Sequence, residues 1–158
     1  VDKLHYHFVD KQAFEALIEE DGFMEYANVY GNFYGTPKKD VIQWLDDGID
    51  VILEIDVQGA LQVKKSYPEG VFIFILPPSI EELKNRIKAR GSETEETMAR
   101  RLGTALQEIS LIDQYDYRVI NEDLEVAINR VRAIITAEQC KLNDSEVDRI
   151  VRRYKEEL

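Results

Sequence analysis

Apolar positions along this chain change their spacing several times, and each change marks an element. The stretch that organises the rest is Val51-Ile52-Leu53-Glu54-Ile55-Asp56-Val57-Gln58-Gly59. Its apolar, β-branched first half predicts a strand over 51–56, buried on both faces of a parallel sheet. Helical spacing then resumes over 59–66. Val71-Phe72-Ile73-Phe74-Ile75-Leu76 is a second run of the same kind, stopped by Pro77-Pro78. Ser79 with Glu82 makes a capping box for a helix reaching about Arg90. A third short strand, Tyr117-Arg118-Val119-Ile120, ends at Asn121 and precedes a helix over about 123–142. Strand, crossover helix, strand predicts parallel pairing and an α/β class.

Upstream the pattern differs. His5-Tyr6-His7-Phe8-Val9 alternates as a short strand, and Asp10 is placed to cap a helix over about 11–20 with Phe14, Leu17 and Ile18 inward. From Phe23 to Pro37, aromatic and β-branched residues flank the turn dipeptide Gly31-Asn32, which predicts an antiparallel hairpin. Thr36-Pro37 opens a helix burying Val41, Ile42 and Leu45, stopped by Asp47-Gly48. Beyond Asn143, Val147, Ile150, Val151, Tyr154 and Leu158 fall at helical spacing. That last amphipathic helix is left to pack on the domain or against a partner, a second copy of the chain included.

Composition narrows the picture. The 158 residues carry a formal charge of −11, with 44% hydrophobic and 32% charged residues. Such acidity argues against nucleic acid or a membrane surface as partner, while leaving room for a local cationic pocket. No apolar run reaches spanning length and no signal peptide is visible. The lone Cys140 fits a reducing cytoplasm. His5 and His7 are the only histidines, too few ligands for a stable metal site by themselves. The sequence opens at Val1 and enters strand-like residues almost at once, so a piece of a longer protein is expected.

Three groups of residues could carry chemistry. Glu54 and Asp56 stand two apart, so on a strand they project to one side, near where ligands of open α/β sheets bind. The competing account is that they only bond loop amides or a neighbouring arginine. Lys84, Arg86, Lys88, Arg90, Arg100 and Arg101 concentrate positive charge in an acidic protein. Arg86 and Arg90 share a helix face, and Gly91-Ser92-Glu93-Thr94 breaks the helix before Arg101. Helix, polar joint, helix with converging guanidiniums describes a movable phosphate clamp. The bland version pairs those arginines with Glu81, Glu82, Glu93, Glu95 and Glu96 on a solvated face. In the hairpin, Glu25, Tyr26, Tyr30, Tyr34 and Thr36 place an acid, phenols and a hydroxyl together. A carboxylate accepts two parallel hydrogen bonds, and guanine offers a ring N–H beside an exocyclic amine. Adenine presents an acceptor where guanine has its ring N–H, and an unpaired partner costs about 1–3 kcal/mol. Aromatic residues are also ordinary β formers.

Tyr6-His7-Phe8, Phe23-Met24-Glu25-Tyr26, Gly31-Asn32-Phe33-Tyr34-Gly35-Thr36-Pro37, Leu53-Glu54-Ile55-Asp56-Val57-Gln58-Gly59, Pro77-Pro78-Ser79, Arg90-Gly91 and Val119-Ile120-Asn121 follow one another in the order and spacing of guanylate kinases. From Val1 to about residue 142 the chain resembles a bacterial member, and the last helix resembles a bacterial-type extension. That resemblance implies a P-loop nucleoside monophosphate kinase-like α/β fold. It would comprise a parallel sheet with flanking helices, a small antiparallel GMP-binding insertion over 1–37 and a core over 38–142. A helical lid at about 88–105 and a terminal helix over 143–158 complete it. It implies ATP-dependent phosphorylation of GMP or dGMP, with Mg²⁺ as cofactor. Tyr6 and Tyr34 then resemble the phenols that bind the GMP phosphate, and Glu25 and Thr36 the guanine readers. Asp56, with Glu54 beside it and Gly59 after it, matches the pair contacting the nucleotide and the water shell of magnesium. Arg86, Arg90 and Arg101 match arginines that gather around the transferring phosphoryl group. Arg90 and Asn121 lie on the ATP side.

The departures are as definite. No G-x-x-x-x-G-K-[ST] phosphate loop occurs in the chain, and Lys3-Leu4-His5 stands where the family has Gly-x-Asp before the tyrosine. The segment whose arginines hold the GMP phosphate is also missing. Truncation at the N-terminus, a bared sheet edge and no turnover by this chain alone are therefore expected. An inert guanylate-kinase-like protein-binding module is the alternative, and retention of Glu25, Tyr34, Asp56 and the three arginines speaks against it. Another nucleoside monophosphate kinase is a third, opposed by the acceptor pair at Glu25 and Thr36.

Overall fold

A computed structural model describes residues 7–29, 32–89, 94–142 and 144–157. The chain divides into two compact units, Val1–Phe72 and Ile73–Leu158.

In the first unit, α1 (Lys11–Glu19) begins at Asp10, whose Oδ1 accepts from the Ala13 amide at 2.8 Å. Phe14 is the buried residue of α1 and stacks on Phe23, ring centroids 4.4 Å apart, with Phe33 at 5.3 Å. Those two rings belong to the predicted hairpin, β1 (Phe23–Val29) and β2 (Asn32–Pro37), which pair antiparallel. The ladder sets Glu25 opposite Thr36 and Ala27 opposite Tyr34, with an irregularity between Phe23 and Glu25. Gly35 is required where it stands, because a Cβ there would lie 2.8 Å from Cδ1 of Phe23. Helix α2 (Lys38–Asp46) starts after Pro37, which supplies the N-cap without a side-chain bond. Val41 is buried as expected, but Ile42 is exposed, so the inward face of α2 is narrower than the periodicity implied. Gly48 closes that helix at φ +76, a left-handed conformation a side chain would strain.

The expected strand over 51–56 does not form: these residues carry no regular structure. Period-two alternation persists, with Ile52, Glu54 and Asp56 exposed and Val51, Leu53 and Ile55 half-buried. Ile52 is 75% exposed, so the segment is covered on one side, not two. A strand exists through its ladder, and among the described residues none pairs with this one. Helix α3 (Val57–Ser66) follows at once, two residues earlier than the sequence indicated, and buries Val57, Ala60 and Val63. Residues 7–9 are likewise irregular, and the rest of that expected strand lies outside the described residues.

In the second unit, β3 (Ile73–Leu76) and β4 (Tyr117–Ile120) form the predicted parallel pair, Ile73 opposite Tyr117 and Leu76 opposite Ile120. Val119, at 1% exposure, is its most buried side chain, and Phe74 packs edge-on against Tyr115. Val71 and Phe72 fall outside β3, and Ile75 is exposed. Half of the expected capping box forms: the Glu82 amide donates to Ser79 Oγ at 3.1 Å, opening α4 (Ile80–Ala89), while the Glu82 carboxylate accepts from Arg86. Thr94 caps α5 (Glu95–Ile109). A short turn of 3₁₀ helix at Ile112–Gln114 leads into β4. Asp123 caps α6 (Leu124–Gln139), which packs on β4, and α7 (Asp144–Glu156) ends the chain with Val147, Ile150, Val151 and Tyr154 exposed.

Candidate nucleotide site

The first unit brings five of the predicted residues together, Glu25, Tyr34, Thr36, Asp56 and Gly59. Pairing Glu25 with Thr36 across the hairpin places both side chains on one face, and the Thr36 hydroxyl donates to Glu25 Oε1 at 2.7 Å. The other carboxylate oxygen lies against the start of α3, where a Cβ built on Gly59 would be 3.1 Å from Glu25 Oε2 and 3.4 Å from Asp56 Oδ1. Glycine at 59 therefore lets a hairpin acid approach a helix end closely. Tyr34, two residues before Thr36 on β2, shares its face and is 46% exposed.

Asp56 has a structural duty as well. Its Oδ1 accepts from the Gly59 amide at 2.8 Å, making it the N-cap of α3. So the loop-amide account of Asp56 is realised, with one of its two oxygens. Glu54 lies on the same exposed side of the segment, two residues earlier. Tyr6 lies outside the described residues.

The second unit carries the predicted arginines. Arg86 donates from Nε to Glu82 at 2.8 Å and from an Nη to the backbone carbonyl of Asn121 at 2.9 Å. Its guanidinium thus links α4 to the end of β4, where the Asn121 amide extends the ladder by donating to the Leu76 carbonyl. Two of the five guanidinium N–H donors serve these bonds. Arg101 is exposed on the second turn of α5, and Arg90 lies outside the described residues. Among the described residues no three His, Cys, Asp or Glu side chains converge as a metal site. None of the described helices is long and apolar enough to cross a membrane.

Sequence reasoning missed two features. Gln62, on α3, donates from Nε2 to the Tyr26 carbonyl at 3.0 Å and accepts from the Tyr26 amide at 3.1 Å. Only its position, three residues beyond Gly59 on the same helix face, connected it with the site. The other is a tie from Tyr117 to Glu138, which also accepts from Lys141 at 3.2 Å.

One unit holds a parallel β-α-β pair and the other an antiparallel hairpin presenting an oriented acid, and sequence relatives identify this α/β chain as a nucleoside monophosphate kinase. A sequence model of the family "Guanylate kinase" matches residues 1–138. The guanylate kinase of Carboxydothermus hydrogenoformans is 55% identical over 141 residues, covering 89% of this chain and 69% of that protein. That of Clostridium tetani is 56% identical over 138 residues, 87% of this chain and 66% of its own. The Clostridioides difficile protein is 48% identical over all 158 residues and 77% of its own length. In three dimensions, a guanylate kinase from Anaplasma phagocytophilum superposes at TM-score 0.72 with 39% identity, covering 89% of this chain and 69% of that one. The chain belongs to the guanylate kinase family, whose members transfer a phosphoryl group from ATP to GMP. It spans about two thirds of the length of the first two of these relatives.

Proposed function

We propose that the Glu25–Thr36–Gly59 cluster reads guanine, within the GMP-binding part formed by residues up to 37 and the start of α3. The observation that carries this is the 2.7 Å bond from the Thr36 hydroxyl to Glu25 Oε1. It fixes the plane of a carboxylate that would otherwise rotate, and so presents an acceptor pair of defined direction. Guanine supplies two adjacent donors to such a pair, and adenine does not. Tyr34, on the same face, and Tyr6 bind the nucleotide phosphate through their phenols. Glu54 and Asp56 face the same nucleotide from the segment leading into α3.

Arg86, Arg90 and Arg101 gather charge around the transferring phosphoryl group, and Asn121 and Arg90 meet the ATP side. Phosphoryl transfer depends mostly on positioning and charge neutralisation, which guanidiniums supply. Arg86 is pre-positioned by its bonds to Glu82 and Asn121. Mg²⁺ suits a site of this kind. It keeps several waters and binds through one or two carboxylates plus substrate phosphates, so a dense cage of protein ligands is not needed. Asp56, whose Oδ1 caps α3, fits a contact through water. When bound, the ion would neutralise phosphate charge. The exposed Cys140 is consistent with a reducing cytoplasm.

A base swap tests the reading. Titrated with GMP and AMP, the chain should bind GMP at least about tenfold more tightly, the loss expected when an acceptor meets an acceptor. Equal affinity for the two would remove the guanine assignment.

A further inference from the structure

We propose that Gln62 is a positioning residue for base selection, acting through β1 on Glu25; this rests on the guanine reading above. Both polar groups of its amide meet the backbone of one residue. Nε2 donates to the Tyr26 carbonyl at 3.0 Å, and Oε1 accepts from the Tyr26 amide at 3.1 Å. Tyr26 pairs with Gly35 in the hairpin register, yet its own amide and carbonyl turn outward, away from β2. Such a strand edge holds unpaired donors and acceptors, and the Gln62 amide closes it as a neighbouring strand would.

The consequence falls on the adjacent residue. Glu25 precedes Tyr26, and its carboxylate lies against Gly59, one helical turn before Gln62 on α3. Helix α3 therefore grips β1 twice: at the backbone of Tyr26 through Gln62, and at the Glu25 carboxylate through the space that Gly59 leaves. Thr36 fixes the carboxylate from the other strand. With the Gln62 bonds removed, β1 can slide or tilt against α3, and Glu25 loses the alignment needed for two parallel bonds at once. One of the two survives misalignment more readily than both together.

Hypoxanthine separates these cases, because IMP keeps the ring N–H of GMP and lacks its exocyclic amine. Gln62→Leu preserves size and removes both bonds. The GMP-to-IMP affinity ratio, measured by calorimetric titration of this chain, should fall about tenfold, the worth of one hydrogen bond. Val63→Ala, in the buried face of α3, is the control: it should lower Tm while leaving the ratio unchanged. If Q62L fails to fold, Gln62→Glu retains the acceptor and sets a carboxylate against the Tyr26 carbonyl, and the ratio should fall there too. A Q62L chain with lowered Tm and an undiminished ratio would reduce Gln62 to a structural tie and overturn the proposal. An unmodified chain with no preference for GMP over IMP would remove the guanine reading itself. The two failures are thus distinguishable.

Discussion

At Gly59 a single methyl group would stand 3.1 Å from Glu25 Oε2 and 3.3 Å from Ile55 Cβ. Carboxylate oxygens can retreat from such a contact, whereas the backbone of α3 cannot, so the side chain of Glu25 moves. Alanine is also the better helix former, by up to about 1 kcal/mol in a helix interior. Gly59→Ala should therefore leave thermal stability unchanged or slightly raised while weakening GMP binding about tenfold, as read by paired melting and titration. Loss of stability without loss of affinity would mean that the close approach is mere packing. Glu25→Ala sets the scale, with a larger loss of GMP affinity and a small change in folding, since the residue lies on a hairpin face and not in the core. At this scale the sequence was legible where two residues bond across a ladder, as Glu25 and Thr36 do. Gln62 was not, because its partner is a backbone thirty-six positions away and no side-chain type marks it.

Among the elements, β4 and α6 are joined by a polar tie whose sign can be followed with pH. The Tyr117 hydroxyl, and then Lys141, hold the Glu138 carboxyl below its ordinary value of 4.5. Hydrogen bonding to Glu138 raises Tyr117 above 10.0, helped by desolvation, and raises Lys141 above 10.5. The Glu138 contribution is present above pH 4.5 and is lost as acid protonates the carboxylate. The Tyr117 and Lys141 contributions are complete below about 10.0 and 10.5 and fade as base removes the protons. Tyr117→Phe should lower Tm by a few degrees on the plateau between these limits, and the difference from the parent should shrink towards pH 3. Calorimetry over that range decides it; a constant difference down to pH 3 would sink the tie. The Asp10 and Ser79 caps and the hairpin were read correctly because they are local: each of these two side chains accepts from an amide three residues on. The 51–56 strand was misread because a strand needs a neighbour, and apolar residues alone do not supply one.

On the scale of the whole molecule, family and class were carried by motif order, while the bounds of individual elements were set by tertiary pairing. The 158 residues contain no G-x-x-x-x-G-K-[ST] run. The expected result is GMP binding without GDP formation when ATP is supplied to this chain alone, assayed after its mass is confirmed. Turnover would mean that other residues cradle the ATP phosphates. Joined to a phosphate-loop segment from a relative, the chain should acquire activity. Arg101→Ala should then cut kcat about a hundredfold with little change in GMP affinity. An equal loss of affinity would move Arg101 from phosphoryl clamp to substrate binder. The two ladders also differ in how far they reach along the chain. The β1–β2 hairpin closes on adjacent residues, whereas pairing Ile73 with Tyr117 must first gather all of α4 and α5. Loop-closure entropy rises with that span, so the hairpin carrying Glu25 forms early and the β3–β4 pair late. A nascent chain would thus order the hairpin that holds Glu25 before the β3–β4 pair, and pulse-labelled amide exchange would record β1 and β2 protected first.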